Sequence, residues 1–345
     1  MTSNRHVVVV PGSKGYPHMG LHGLFHPPVF QGRKRTVSYF EGWYFKMAVG
    51  HSDSASGPEV ISVIPGIALG STKDDHHAFI QVISSREKRS WYVPFPLEAF
   101  NADKREMHLA VGNNLFTTNH IQLDLRHEDL TLSGSIRHHD IQPFPVTLAS
   151  PGIMGWFAYL PFMECNHGVV STHHSLSGSI ECNGIETDFT GGTGYIEKDW
   201  GTSFPEAWIW MQGNCFPSAN SSCMLSVARI PILGRSFTGF LGFLQMGDRM
   251  IRFGTYTGAR IVALETNGTQ ANVAIRQKDM LIEFIAELGP SSHLAAPRQG
   301  KMDRTITESI LGTLAVTVHA ANGTTLFKET GTMAGIELSE AGSLR

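Results

Sequence analysis

The sequence predicts an all-β protein of antiparallel strands, closed as a barrel or stacked as a sandwich, and three observations carry that expectation. Apolar and polar residues alternate along most of the chain, the period of a strand with one buried face. Asn-Gly pairs at Asn183, Asn267 and Asn322 fall between such runs, as two-residue turns require. No long segment places apolar residues at the 3.6 spacing of a helix. In chain order, the strand candidates begin with EVISVI, HAFIQVI, SWYVPF and MHLAV. IQLDLRHEDLTLSGSI then alternates from Ile121 to Leu125, turns at Glu128 and Asp129, and alternates again through Leu130, Leu132 and Ile136. SLSGSIE, GYIEKDW, AWIWMQ, CMLSVARI, GFLGFLQM, ANVAIR and LIEFIAEL complete the series. The one helix candidate is short, around Pro151 to Tyr159.

At 345 residues the chain is long for one compact domain, so one large or two medium domains are expected. Its hydrophobic content of 41% suffices for a core. A net charge of −3 leaves no footprint for nucleic acid or for an anionic membrane. The longest apolar runs, such as VISVIPGIALG, are broken by proline and glycine and are too short for a membrane-spanning helix. Met1 to Lys14 lacks the order of a secretory leader, although Val7 to Val10 is apolar. Four cysteines (Cys165, Cys182, Cys215 and Cys223) are too few for a disulfide scaffold, so reduced thiols in a cytoplasmic protein are expected.

The densest chemistry lies in GYIEKDWGTSFPEAWIWMQGN, from Gly194 to Asn214, which holds three of the six tryptophans. On a strand, Tyr195, Glu197 and Asp199 share one face, while Ile196, Lys198 and Trp200 share the other. Trp208 and Trp210 share a face in the next strand, so the stretch reads either as a tryptophan cluster with acids at its rim or as the wall of an aromatic cavity. PFMECNHGVVSTHH adds Glu164, His167, His173 and His174 at a spacing that fits no standard zinc site, so no metal is expected. The pairs His76–His77 and His138–His139 fall near turns and read as solvated. DDHHAF lacks the third aspartate and the helix of a prenyl-diphosphate site. No nucleophile elbow, phosphate loop or dinucleotide fingerprint occurs, so no organic cofactor is expected. SYFEGWYFK and GYIEKDW share Tyr-x-Glu followed by tryptophan, as a duplicated barrel would produce, with a seam before Thr187.

YFEGWYFK, PFMECNHGVVS, GYIEKDWGTSFPEAWIWMQGN and PRQGKMDRTITES, in that order between about Phe30 and Leu338, resemble the tocopherol cyclase-like family, and in particular its bacterial members of undefined substrate. The family is similar to carotenoid 1,2-hydratases and to fungal pericyclase-type cyclases, which implies lipocalin-like barrels, commonly two per chain. The expected division is an extension at 1–35, a first barrel at 36–186 and a second at 187–345. The resemblance also implies cofactor-independent chemistry: an alkene of a prenylated hydroquinone is protonated and the cation is trapped by a phenol oxygen, or by water in a hydratase. Small residues at Asn166, Gly213 and Cys215, where bulkier neighbours would be expected, suit a reshaped pocket.

That chemistry needs an acid kept protonated by burial, together with indole faces worth about 0.5–2 kcal/mol each to a cation. The expected acid is Glu197, tuned by Tyr195 and Asp199, with Glu41 as runner-up; His167 or Glu164 would accept the phenol proton. Trp43, Trp200, Trp208, Trp210 and Asn214 are expected to shape the pocket. Lys198 is expected in a structural ion pair, and Glu308 is expected to be salt-bridged. The expected partner is an apolar, prenylated or isoprenoid small molecule, and transient contact with a membrane surface is one way for the protein to collect it. A non-catalytic carrier of such a molecule is the alternative; it needs the aromatic lining but no unpaired acid facing the cavity.

Overall fold

Alternating sequences become strands almost everywhere in the computed structural model, which describes residues 21–50, 57–161, 163–232 and 234–344. The reading of Met1 to Lys14 lies outside the described residues. Among the described residues the only α-helix is Leu21–Phe25, and the short helix expected near Pro151 is a 3-10 turn at Gly155–Tyr159. Positive φ at Asn183 and at the three glycines Gly184, Gly268 and Gly323 marks the Asn-Gly turns.

The first sheet comprises β1 (Tyr39–Val49), β2 (Glu59–Leu69), β3 (His77–Ser84), β4 (Arg89–Phe95), β5 (Phe100–Ala102), β6 (His108–Val111), β7 (Asn114–Thr117), β8 (His120–His127), β9 (Leu130–Pro143), β10 (Cys165–Cys182), β11 (Ile185–Asp188) and β12 (Thr193–Gly201). Its order is β4-β3-β2-β1-β12-β10-β9-β8-β7-β6-β5, with β11 beside β10. The second sheet comprises β13 (Trp208–Gly213), β14 (Ser222–Ile232), β15 (Arg235–Met246), β16 (Arg249–Gly254), β17 (Arg260–Thr266), β18 (Gln270–Gln277), β19 (Met280–Glu287), β20 (Ser291–Arg298), β21 (Lys301–Ala320) and β22 (Thr325–Ser339). Its order is β16-β15-β14-β13-β22-β21-β19-β18-β17, with β20 beside β21.

The two orders repeat one plan, a four-strand meander whose first strand pairs with the last strand of its sheet. By position, β1 matches β13, β12 matches β22 and β10 matches β21. The segments SYFEGWYFK and GYIEKDW do not occupy matching positions in the two sheets. Those segments are β1 and β12, hydrogen-bonded neighbours in one sheet, with Tyr44 opposite Glu197 and Trp43 opposite Lys198. Because β12 sits at the centre of the first sheet, a seam before Thr187 would cut through that sheet; the chain crosses to the second sheet between Gly201 and Trp208.

Each sheet curls around its own apolar core. Trp43, Phe45, Phe116 and Trp200 lie in the first, and Phe253, Phe284, Val316 and Ile336 in the second. A third cluster, including Tyr44, Tyr195, Trp208, Trp210 and Ile306, joins the two sheets. Polar contacts fix their alignment: Gln81 Nε2 donates to the Ala295 carbonyl at 3.0 Å, and the Ala295 N–H returns a bond to Gln81 Oε1 at 2.9 Å. Buried Lys46 Nζ donates to Gln212 Oε1 across the same boundary at 2.8 Å.

Candidate active site

Between the sheets lies a cavity of about 180 Å³, room for on the order of a dozen waters. Phe40, Phe79, Phe157, Phe204, Trp208 and Trp210 supply much of its aromatic wall. Glu164, His167, Glu197, Asp199, Glu308 and Glu337 bring charge-bearing groups to it. Gly335 makes room for the indole of Trp210, since a Cβ there would stand 2.8 Å from the ring.

Strand alternation delivers the first acids. On β12, Glu197 and Asp199 turn to the cavity while Ile196 and Trp200 turn into the first core, as expected. On β10, His167 lies opposite Asp199, and the ladder slips between Val169 and Ser171, just beyond. Bulges of this kind re-aim side chains near functional sites. His167 Nδ1 is 2.8 Å from Asp199 Oδ1. Its Nε2 stands 3.3 Å from Glu197 Oε2, in ion-pair range but not aligned for a hydrogen bond. Tyr195 Oη donates to the same Glu197 oxygen at 2.7 Å. Burial opposes a charge on His167, but the carboxylates of Asp199 and Glu197 outweigh it and hold the imidazole well above its ordinary pKa. A histidine held in its protonated form at neutral pH does not suit the base role expected of it.

The second sheet contributes a different pair. Glu308 on β21 and Glu337 on β22 are direct cross-strand partners, and the β21–β22 ladder slips between Ser309 and Gly312. Tyr44 Oη donates to Glu308 Oε1 at 2.7 Å, and Trp208 Nε1 donates to Glu337 Oε2 at 2.5 Å. Burial raises Glu308 to about 8, with Glu197 adding to the rise. Burial, and then Glu308 itself, pushes Glu337 well above the ordinary carboxyl value. The expected salt bridge of Glu308 is not formed: among the described residues no cation reaches it at ion-pair distance, because Lys46 is bound to Gln212. Glu337 was absent from the expectations altogether. Its sequence signal is weak, but Glu308 was readable, since ITESI places it between Ile306 and Ile310 on one apolar strand face.

The remaining predicted residues separate. Glu41 is fully buried away from the cavity, 2.6 Å from Lys198 Nζ, so the structural pair expected of Lys198 is made with the runner-up acid. Trp43 and Trp200 flank that ammonium at 4.8 and 4.7 Å and belong to the first core, not to the cavity wall. Asn214 is buried beside Gln212 and Thr193 and does not line the cavity. Glu164 is at the cavity, and burial, followed by Glu206, raises its pKa. His138, read as solvated, is buried and packs on His174 with ring centroids 4.4 Å apart.

His167, Glu197 and Asp199 are also the one group among the described residues whose potential metal-ligand atoms all lie within 4.8 Å of one another. Both ring nitrogens of His167 lie within ion-pair distance of a carboxylate, whereas a metal would take one of them in place of a proton. The arrangement is that of an imidazolium between two anions.

The family profile described as Tocopherol cyclase-like matches residues 139–340, more than half of the chain, a range that includes Glu164, His167, Glu197, Asp199, Glu308 and Glu337. The chain belongs to the tocopherol cyclase-like family. A chloroplastic tocopherol cyclase of Zea mays is 36% identical over 74 residues, 21% of this chain and 16% of that protein. A protein of Oryza sativa subsp. japonica named "Probable tocopherol cyclase, chloroplastic" is 34% identical over 83 residues, 24% of this chain and 18% of its own length. The matches thus span less than a fifth of those relatives. Among solved structures, CghA superposes with a TM-score of 0.56 at 12% identity, covering 96% of this chain and 94% of that one. An AttH-type protein of Nitrosomonas europaea gives 0.51 at 14% identity, covering 95% and 98%. Likenesses at this identity establish the lipocalin-like fold. No helix among the described residues is long and apolar enough to cross a membrane.

Proposed function

We propose that the protein is an intramolecular cyclase of an apolar, alkene-bearing substrate, of the prenylated hydroquinone type, working by alkene protonation and capture of the cation by the substrate's own oxygen. The observation that carries this reading is the inter-sheet cavity, where carboxyl groups without a cation partner face aromatic walls. A carrier has no use for unpaired buried acids, which cost stability. A cyclase needs them, because a proton donor must keep its proton at working pH. The indoles of Trp208 and Trp210 supply faces for the developing cation, and the largely apolar lining limits its capture by water. The reaction is an isomerisation, consistent with the cyclase function of the family.

The substrate enters, on this reading, from a membrane surface. Exposed Leu148, Trp156 and Tyr159 lie on the same segment as Met154 and Phe157, which line the cavity. Trp156→Ser should slow uptake from lipid vesicles but not turnover of detergent-dispersed substrate; equal slowing of both would remove the surface step.

The decisive assay incubates purified protein with prenylated hydroquinones and acyclic polyenes and follows product mass. A product of unchanged mass supports the cyclase, a gain of one water supports a hydratase, and tight binding without conversion would return the protein to the carriers.

A further inference from the structure

Glu308 and Glu337 stand side by side on adjacent strands, both facing the cavity. The charged or titratable groups around them are Tyr44 and Lys46 from β1, Glu197 and Asp199 from β12, and Arg304 from β21, and Arg229 from β14 lines the same cavity. These three cations are engaged elsewhere: Lys46 with Gln212, Arg304 with the carbonyls of Pro205 and Glu206 and with Ser339 Oγ, and Arg229 with the Ser343 carbonyl. Each acid receives one hydrogen bond from a side chain, Tyr44 on one and Trp208 on the other. Two carboxylates so placed cannot both ionise near neutral pH without a cation between them. The opposite wall has the inverse arrangement, in which Glu197 and Asp199 share the imidazolium of His167.

We infer that Glu308 and Glu337 hold a proton between them and form the acid that protonates the substrate alkene, while the Glu197–His167–Asp199 cluster takes up the proton released by the attacking oxygen. The roles of the two walls rest on the cyclase reading; the retained proton does not. In the step, a carboxyl O–H bond breaks and a C–H bond forms at the less substituted alkene carbon. The π electrons make that bond and leave a tertiary cation. A lone pair of the substrate hydroxyl closes the C–O bond, and its proton passes to a carboxylate of the opposite wall. Release of that proton to solvent and uptake of another by the glutamate pair close the cycle, with nothing oxidised or reduced. Glu197, expected from sequence as the acid, becomes part of the pole that stabilises the cation and receives the proton.

Infrared spectroscopy of the full chain without substrate, in H2O and D2O, tests the retained proton directly. Wild type should show a protonated-carboxyl C=O band at pH 7 that shifts in D2O and disappears as pH rises through about 8. The double variant Glu308→Gln, Glu337→Gln should lose it, and Tyr44→Phe, which keeps both acids, should move the transition to higher pH. A wild type without the band, or a double variant that retains it, overturns the inference whatever the substrate proves to be. With a turned-over substrate, the double variant should lose about 10²- to 10⁴-fold in kcat, and near-normal turnover in a folded double variant overturns the catalytic assignment. If the band behaves as expected but no alkene substrate is cyclised, the retained proton stands and the cyclase reading falls.

Discussion

Glu41 and Glu308 are both buried glutamates on strands of an apolar face, yet they are held in opposite ways. Glu41 has Lys198 Nζ at 2.6 Å, backbone N–H groups of Gln31 and Gly32 at 2.9 Å, and the hydroxyl of Tyr39. The ammonium itself is capped by the carbonyls of Pro27 and Val29, at 2.9 and 2.6 Å. Glu308 has a single side-chain donor, Tyr44. Burial alone therefore does not decide what an acid is for. A buried carboxylate whose donors and cation are all supplied is structural, and one left without a cation keeps its proton and can give it away.

The largest expected effect breaks the first of these arrangements. Lys198→Met should cost about 3–5 kcal/mol, because it strands Glu41 as an uncompensated buried charge. Turnover per folded molecule should be largely kept, since neither residue touches the cavity. Urea unfolding alongside a turnover assay would check both parts. Glu308→Gln should do the reverse. Glu308 is raised to about 8, above the value near 4.3 of an unfolded glutamate, so the stability it provides is complete at low pH and is lost as pH rises through that window. The glutamine variant has no such loss and should be more stable than wild type at pH 9. Equal destabilisation by both substitutions would erase the distinction between the two acids.

The same contrast was only partly legible in the sequence. Alternation in GYIEKDW correctly separates Glu197 and Asp199 from Lys198 and Trp200, because facing is a local property of a strand. It does not say which strand arrives next door. The cation partner of Glu41 lies 157 positions away, and the lack of a cation at Glu308 depends on Lys46 meeting Gln212 from the other sheet. Trp43 was misplaced for the same reason: its motif resembles the cavity motif, but the tryptophan faces the first core. Period and turn chemistry sufficed for the all-β class, whereas register and the meeting of the two sheets determined the site.

Two histidines extend the comparison at a smaller scale. His138 is buried, and burial, helped by the neighbouring His120 and His139, lowers it to about 4, whereas His167 is held above its ordinary value by Asp199 and Glu197. For His138 the folded pKa lies below the unfolded 6.5, so its stabilising share is present above pH 6.5 and is lost as pH falls toward 4, by about 3 kcal/mol. For His167 the sign is opposite, with stability present below 6.5 and lost as pH rises through the raised value. His138→Phe should flatten the acid limb of the stability profile and leave the alkaline limb alone, while Glu197→Gln should lower the pKa of His167 and move the alkaline limb toward neutral pH. Denaturant midpoints from pH 4 to 10 would show it, and a His138→Phe profile that still falls between pH 6.5 and 4 as wild type does would rule out this origin.

The smallest effect compares the two tyrosines that serve the two acids. Tyr39→Phe removes one donor of several from Glu41, and Tyr44→Phe removes the single side-chain donor of Glu308. Each should cost about 0.5–1.5 kcal/mol, the net worth of one hydrogen bond, so stability by itself will not separate them. Titration will. The Tyr44 hydroxyl favours the ionised form of Glu308, so its loss should raise the pH at which the glutamate pair deprotonates and carry the alkaline limb of turnover with it. Tyr39→Phe should leave that limb in place, because Glu41 keeps Lys198 and its backbone donors and stands outside the cavity. If both variants shift the limb equally, the two acids belong to one network and the division between a structural and a reactive glutamate is wrong.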